Sequence, residues 1–528
     1  MSNAAETKSS SVLAPDPSWR KWAILVAASL GALLEVIDTS IVNVALTDMQ
    51  ASLGATLSEV GWVVTIYAIA NVIILPLTAW LGDRFGKKTY FIFSMVAFTA
   101  ASMLCGVATS LPVLIFARLL QGLGGGGLLA KAQAILFETF PPAQQPMAQA
   151  VFGICVIAGP AIGPTLGGYI VTALDWRWIF FINLPVGIAA TMMAIAFLHE
   201  DKAKTVGQPV DWLGILLLVI AVGGLQTMLE EGNQEDWFAS RLIIGCALCA
   251  ALGLGFFVWR QLVIEFPCVD LRVLRHRSLA AGGVLSMVVG MGLYGAMFAV
   301  PIFAQSILHF TAEQTGMMLL PGALASAFMF PLLGRLNGRI DARVLIVIGS
   351  LILCGTMFWM RGIMTPQTGA DDFFWPMIVR GAASVSIYLP LTLATLGPIP
   401  RQDISKASGI YSLLRQMGGS VGIAVLTMLL TDRNAFHRAV LVEKLGMTSA
   451  LAQGRLAALT AGMVAKGADL VSAGQRARAL LDGSVSIQAV VLSFGDIFYL
   501  VGFTIIATLP LVFLLGSGRG AKPPADAH

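Results

Sequence analysis

Gly159-Pro160-Ala161-Ile162-Gly163-Pro164-Thr165-Leu166-Gly167-Gly168 is the most specific stretch in this chain. Its glycines at 159, 163 and 167 stand four residues apart, so on a helix they share one face and leave a groove free of side chains. Pro160 and Pro164 remove two backbone donors and bend such a helix. Small residues at this spacing let helices touch closely in lipid. A single pair of them would say little, but the doubled Gly-Pro-x-x pattern is hard to produce by chance.

The surroundings agree that the solvent is lipid. Only 12% of the 528 residues are charged and 57% are hydrophobic, where a soluble protein carries ~25% charge. Mean hydropathy is +0.82. Such a chain cannot dress a soluble surface and reads as an integral membrane protein. That excludes a soluble enzyme, a nucleic-acid reader and a disordered scaffold. The net charge of +4 is too small and too scattered for a nucleic-acid patch. Cys105, Cys155, Cys246, Cys249 and Cys354 lie in apolar runs and Cys268 in a polar connection, so no disulfide framework is visible. The polar N-terminal segment lacks an apolar signal core, and the N-terminus is expected in the cytoplasm.

A bilayer-crossing helix needs ~20 mostly apolar residues. Fourteen such runs start near residues 22, 60, 88, 112, 147, 177, 212, 241, 278, 315, 343, 373, 407 and 488. With the N-terminus inside, the cytoplasmic segments hold Lys8, Arg20, Lys21, Arg84, Lys87, Lys88, Lys202, Lys204, Arg260, Arg272, Arg275, Arg277, Arg335, Arg339, Arg343, Arg401, Lys406, Arg519 and Lys522. The short outer loops hold only Arg177, Arg241 and Arg361. This asymmetry is what the positive-inside rule requires, and it puts both termini in the cytoplasm. One long outer segment, 433–487, is exempt from the rule. In it Ala452, Leu456, Leu459 and Met463, and then Leu470, Gly474, Ala477 and Leu481, follow helical spacing. They predict two amphipathic helices, either a hairpin lying on the protein's own outer surface or a docking site for a periplasmic partner.

Gly82-Asp83-Arg84-Phe85-Gly86-Lys87-Lys88 after span 2 is echoed after span 10 by Gly334-Arg335-Leu336-Asn337-Gly338-Arg339. Arg118 with Gln121-Gly122 in span 4 is echoed by Arg380-Gly381 in span 12. The echoes predict an all-α fold of two pseudo-symmetric six-helix halves, with two helices inserted between them. The divisions are a cytoplasmic tail (1–21), an N-terminal half (22–199), the inserted pair (200–262), a linker (263–277), a C-terminal half (278–516) and a tail (517–528). Repeats of this kind place a transport site between the halves. In the loop after span 2, Gly86 permits a tight turn, Asp83 can cap a helix end, and Arg84, Lys87 and Lys88 hold the loop to the inner face as a latch.

With these residues in view, the chain resembles the fourteen-span drug:proton antiporter branch of the major facilitator superfamily, from about Glu35 to Asp496. Carrying the resemblance are Arg118-x-x-Gln121-Gly122, the span-5 run, the loop GDRFGKK (82–88) and WRWIFFINLPVG (176–187). IDTSIVNVAL (37–46, with Asn43), LQTMLEEGNQEDWF (225–238), VDLRVL (269–274) and RQMGGSVG (415–422) make it similar to the inner-membrane subunits of Emr-type tripartite pumps. The resemblance implies proton-driven export of amphipathic drugs, no cofactor beyond the proton gradient, and a periplasmic adaptor with an outer-membrane channel as partners. It makes Gly159, Pro160, Gly163, Pro164, Gly167 and Gly168 the antiporter motif, Asp38 the proton-coupling acid and Arg118 its partner.

Charges inside spans are costly and default to functional candidates. Asp38 and Arg118 lie at one depth, roughly 10 Å below the outer surface at ~1.5 Å per residue, which permits an ion pair. Glu35 is one turn deeper, as a second proton site or an attractor of cationic drugs. Arg380 and Arg415 raise the same question in the second half, with a structural role favoured, and Asp496 is expected to meet the outer segment. Met and aromatic side chains suit a cavity for ligands of varied shape. No phosphate-binding glycine loop appears, so ATP is not the expected fuel. The five histidines are scattered and form no metal set. The competing readings are a proton-coupled carrier of a specific metabolite such as a siderophore or acid, and a membrane enzyme.

Overall fold

The computed structural model describes residues 18–200, 208–336, 339–445 and 450–515. Lys8, Lys202, Lys204, Asn337, Gly338, Arg519 and Lys522 lie outside them. In hydrocarbon every backbone polar group must be satisfied within its own segment, so apolar runs become helices. Fourteen helical segments among the described residues are long and apolar enough to cross a membrane, and thirteen of them start within a few residues of the predicted positions.

The first half comprises α1 (Ser18–Leu53), α2 (Leu57–Phe85), α3 (Lys87–Gly106), α4 (Leu111–Gly125), α5 (Leu128–Thr139), α6 (Gln145–Ala173), the single turn α7 (Trp178–Phe181) and α8 (Asn183–Phe197). The inserted pair is α9 (Trp212–Glu231) and α10 (Arg241–Val263). The second half follows as α11 (Arg277–Ser306), α12 (Ala312–Leu336), α13 (Ala342–Ile363), α14 (Phe374–Leu396), α15 (Ile404–Lys444), α16 (Ala450–Ala465), α17 (Leu470–Ala507) and the turn α18 (Leu509–Val512).

The pairing repeats between the halves. Helix α1 packs on α6 and α8 as α11 packs on α15 and α17, and α4 packs on α2 and α3 as α14 packs on α12 and α13. The halves meet where α6 lies on α12 and where α2 and α5 lie on α15. At the end carrying the Arg84 and Lys87 loop, here called the basic end, they are tied by Ser408 Oγ, which donates to Ala130 O at 2.7 Å. Toward the opposite end α9 enters between α2 and α15. Thr65 donates to Glu231 at 2.8 Å, and Gln226 donates to Ser420 at 2.9 Å. Span 7 is therefore bonded to both halves.

Three expectations need correction. Span 4 is two helices, because the chain breaks at Gly126–Gly127: Gly127 has φ +84°, and a β-carbon there would lie 2.1 Å from Thr78 Cγ2. Among the described residues the two helices expected in 433–487 are present as α16 and the first turns of α17, but they are not set apart from the spans. α15 runs on to Lys444, and α17 is one helix from Leu470 through span 14, with α16 packed against it. At ~1.5 Å per residue each long helix reaches ~60 Å, about twice the hydrocarbon thickness. Asp83 stays in the last turn of α2, and α3 starts at Lys87 behind the N-cap Gly86 (φ +86°), which has no side chain to cap it.

Candidate functional site

Asp38 projects from the middle of α1 into the first half and is fully buried. Its Oδ2 accepts from Arg118 Nη1 at 2.5 Å, with the two side chains 0% and 1% exposed. Its Oδ1 accepts from Gln121 Nε2 at 2.9 Å and from Asn183 Nδ2 at 3.0 Å. Asn183 in turn donates to Ser102, whose hydroxyl donates to Phe180 O. Arg118 Nε donates to Val63 O at 3.0 Å, and its guanidinium lies 4.1 Å from the Tyr67 ring centre. So α1, α2, α4, α7 and α8 contact one ion pair directly, and α3 supports it through Ser102 and Asn183. An ionised carboxylate and a guanidinium without water need such a complete set of partners, since each unmet group costs several kcal/mol.

Packing explains how α4 brings Arg118 there. A β-carbon at Gly122 would lie 2.6 Å from Ala70 Cβ and 2.8 Å from Tyr67 O, so glycine lets α4 close on α2. The span-5 glycines do the same for α1. Hypothetical β-carbons at Gly159, Gly163 and Gly167 would fall 2.5 Å from Val36, 1.9 Å from Ser40 and 2.8 Å from Ile41. The groove thus grips the turn of α1 that carries Asp38. Across α6, a β-carbon at Gly316 of α12 would lie 1.9 Å from Thr165 Oγ1, which puts this segment between Asp38 and the second half.

Glu35, one turn away, is buried in a second site. Its Oε1 accepts from Asn71 Nδ2 and its Oε2 from the backbone N–H of Leu129, both at 2.8 Å. The second bond exists because span 4 is broken: Leu129 is in the first turn of α5, where N–H groups lack helical partners. Two residues on, Lys131 is 6% exposed, with Nζ donating to Ser94 Oγ at 3.1 Å and resting on the Tyr90 ring.

The remaining candidates separate. Arg415 donates to the Tyr388 hydroxyl at 2.8 Å and sits between the Tyr388 and Tyr411 rings, in the second half. Arg380 is buried on α14. Asp496 meets the extension of α15 as expected, 2.9 Å from His437 and 3.7 Å from Arg433. Asn43 is exposed and bonds back to Thr39 O, away from Asp38. In the loop, Lys87 pairs with Glu138 of α5 at 2.6 Å, and Arg84 donates to Gln208 O at 2.9 Å. Asn71, Asn183, Lys131 and Glu231 were not singled out from sequence. Lys131 carries the same signal as Asp38, a charge within an apolar span, whereas Glu231 is the last residue of span 7.

Comparison with known proteins settles what this architecture is. Residues 28–423 match the Major Facilitator Superfamily. The chain belongs to that family. This major facilitator protein is 32% identical over 502 residues to the multidrug export protein EmrB of Escherichia coli (strain K12), covering 95% of each chain. It is 31% identical over 501 residues to the fatty acid resistance protein FarB of Neisseria gonorrhoeae, covering 95% of this chain and 96% of that one. Among solved structures, the proton:xylose symporter XylE bound to 6-bromo-6-deoxy-D-glucose aligns over 95% of this chain and 98% of its own with a TM-score of 0.58. At 14% identity that likeness speaks for the major facilitator fold alone. The protein is a multi-pass membrane transporter of the EmrB-like group.

Proposed function

We propose that this transporter is a proton-driven exporter of amphipathic toxic compounds, working by alternating access as the inner-membrane part of a tripartite pump. The names of its relatives, a multidrug export protein and a fatty acid resistance protein, support an amphipathic cargo. Both termini are assigned to the cytoplasm, and the basic end is the cytoplasmic end. The extended α15 and α17 then reach out to a periplasmic adaptor, through which the compound passes to an outer-membrane channel.

The observation that carries the reading is the enclosed Asp38–Arg118 pair on the glycine-gripped turn of α1. Protonation of Asp38 removes the carboxylate charge and frees Arg118, which still has Val63 O and Gln121 as acceptors. α1 can then move along α6, because the glycine face offers no interlocking side chains to hold it. The Ser408–Ala130 contact between the halves is the latch that opens at the basic end, beside the Lys87–Glu138 pair that holds α3 to α5. A potential of ~100 mV adds about 2.3 kcal/mol per charge moved inward.

The test is proton release from acidified everted vesicles on addition of a cationic dye, which should occur with the wild-type protein and stop with Asp38→Asn. Dye movement in the same direction as the protons would identify a symporter and overturn the proposal.

A further inference from the structure

Lys131 has no part in the exchange described above, and its setting calls for one. A lysine ammonium inside a span is costly unless paired, yet Lys131 makes no ion pair among the described residues. Its three N–H donors meet one hydroxyl, Ser94 Oγ, and the face of Tyr90. The Tyr90 hydroxyl is itself buried without a hydrogen-bond partner.

Two connections lead away from Lys131. Toward the centre of the bundle stands Glu35, whose carboxylate binds Leu129 N–H on the same first turn of α5. Toward the basic end runs a narrow cleft of about 10 Å³, room for about one water, lined by Lys131, Tyr90, Thr78 and Ser405, which reaches the Lys87–Glu138 pair. Lys131 is eight residues before the end of α5, so at ~1.5 Å per residue it lies about 12 Å from that end. The groups facing it are Glu35 from α1, Thr78 from α2, Lys87, Tyr90 and Ser94 from α3, Glu138 from its own helix and Ser405 from α15.

We propose that Lys131 is a proton-relay residue that carries protons from Glu35 to the cleft at the basic end. This rests on the proton-antiport reading. Swung from Ser94 to within hydrogen-bond reach of Glu35, the neutral amine takes the proton of the carboxyl, giving a carboxylate and an ammonium, and the ammonium, back on Ser94, releases it into the cleft. The geometry matches the state after the first transfer. Asn71 and Leu129 donate to a bare carboxylate, while the ammonium donates to Ser94 and is cushioned by the electron-rich ring of Tyr90. Asp38, one turn from Glu35 on α1, supplies the path from the opposite end.

The experiment reconstitutes wild type, Lys131→Met, Lys131→Arg and Lys131→His in liposomes, and measures dye binding, dye transport and dye-driven proton flux. Both Met and Arg should bind dye normally and lose proton flux by about 100-fold, the scale of a positioned proton-transfer group. His should restore much of it, with an altered pH profile. A merely structural cation predicts the opposite order, with Arg active and His impaired. If Lys131→Met fails to insert, Arg and His still decide the matter: an Arg variant as fast as wild type overturns the relay. So does a Met variant that inserts and keeps wild-type flux. If wild type itself moves no protons on dye addition, the antiport reading falls and the relay with it.

Discussion

Gly163 of α6 stands so close to Ser40 of α1 that a β-carbon there would lie 1.9 Å from the serine hydroxyl oxygen. Ser40 also donates to Gly159 O at 3.3 Å, and Asp38 is two residues away on the same turn. The position of the buried acid is thus set by the absence of a side chain on another helix. Gly163→Ala should therefore act on coupling as well as packing. Overpacking of this kind costs about 1–3 kcal/mol, which should appear as a lower melting temperature in detergent together with reduced transport. Gly245→Ala in α10, where a β-carbon would meet nothing within 4 Å, is the matched control and should be silent in both assays.

Asp38→Asn keeps size and most hydrogen bonding but removes the titrating group. Transport should stop while the protein still inserts and binds drug, and drug binding should lose its pH dependence. Arg118→Lys should transport poorly, because a lysine cannot reproduce the planar fork that holds Asp38, Gln121 and Val63 O together. Arg118→Ala strands a buried carboxylate and should cost about 3–5 kcal/mol of stability. Glu35→Gln separates the two acids. If it abolishes uphill transport while Asp38→Asn does not, the coupling acid is Glu35.

The outward helix α16 presents Val464 at 40% exposure beside Leu470 at 72%, along an open apolar groove with Leu456 and Ala461. Val464→Glu with Leu470→Glu should leave folding and dye transport in vesicles unchanged while lowering resistance in intact cells, if this face meets an adaptor. Equal resistance of variant and wild type would argue for a pump that works alone. Reporter fusions at Lys88 and Ala461 should give cytoplasmic and periplasmic signals respectively.

Asp270 in the linker accepts from Lys406 at the start of α15 at 2.8 Å. Burial pushes its carboxyl up, but the Lys406 hydrogen bond and charge, together with the amide and charge of Arg272, outweigh this and hold it below its ordinary 3.8. A carboxyl lowered on folding stabilises the folded state above its ordinary value, and the contribution drains away as pH falls through the folded value. Lys406→Met should lower the melting temperature at neutral pH, and the gap to wild type should narrow below pH 3.8. A gap that stays constant through that range would show that Lys406 contributes packing alone.

Much of this molecule follows from local physics. Span count, starting points and the sign asymmetry of the loops are legible because lipid imposes its requirement on each segment separately, before any helix meets another. The same holds for the identity of the buried charges: a charge among apolar neighbours is conspicuous wherever it ends up, as Asp38, Glu35 and Arg118 are. Partners are another matter. Asn183 is 145 residues from Asp38, and Asn71 is 36 from Glu35. Nothing in an amide's own neighbourhood says which carboxylate it will face. The break in span 4 belongs to the tertiary structure too, since glycines at 124–127 fit a continuous helix until Asn71 and Thr78 of α2 press on that point. Beyond the membrane, lipid no longer dictates where a helix stops. Hydropathy therefore placed the start of span 14 at 488, whereas α17 begins at Leu470. Buried Ala473 and Ala477, the packing of α16 and α15 on α17, and the Arg438–Asp482 pair at 2.9 Å hold those extra turns as one helix, and such contacts exist only once the chain has folded.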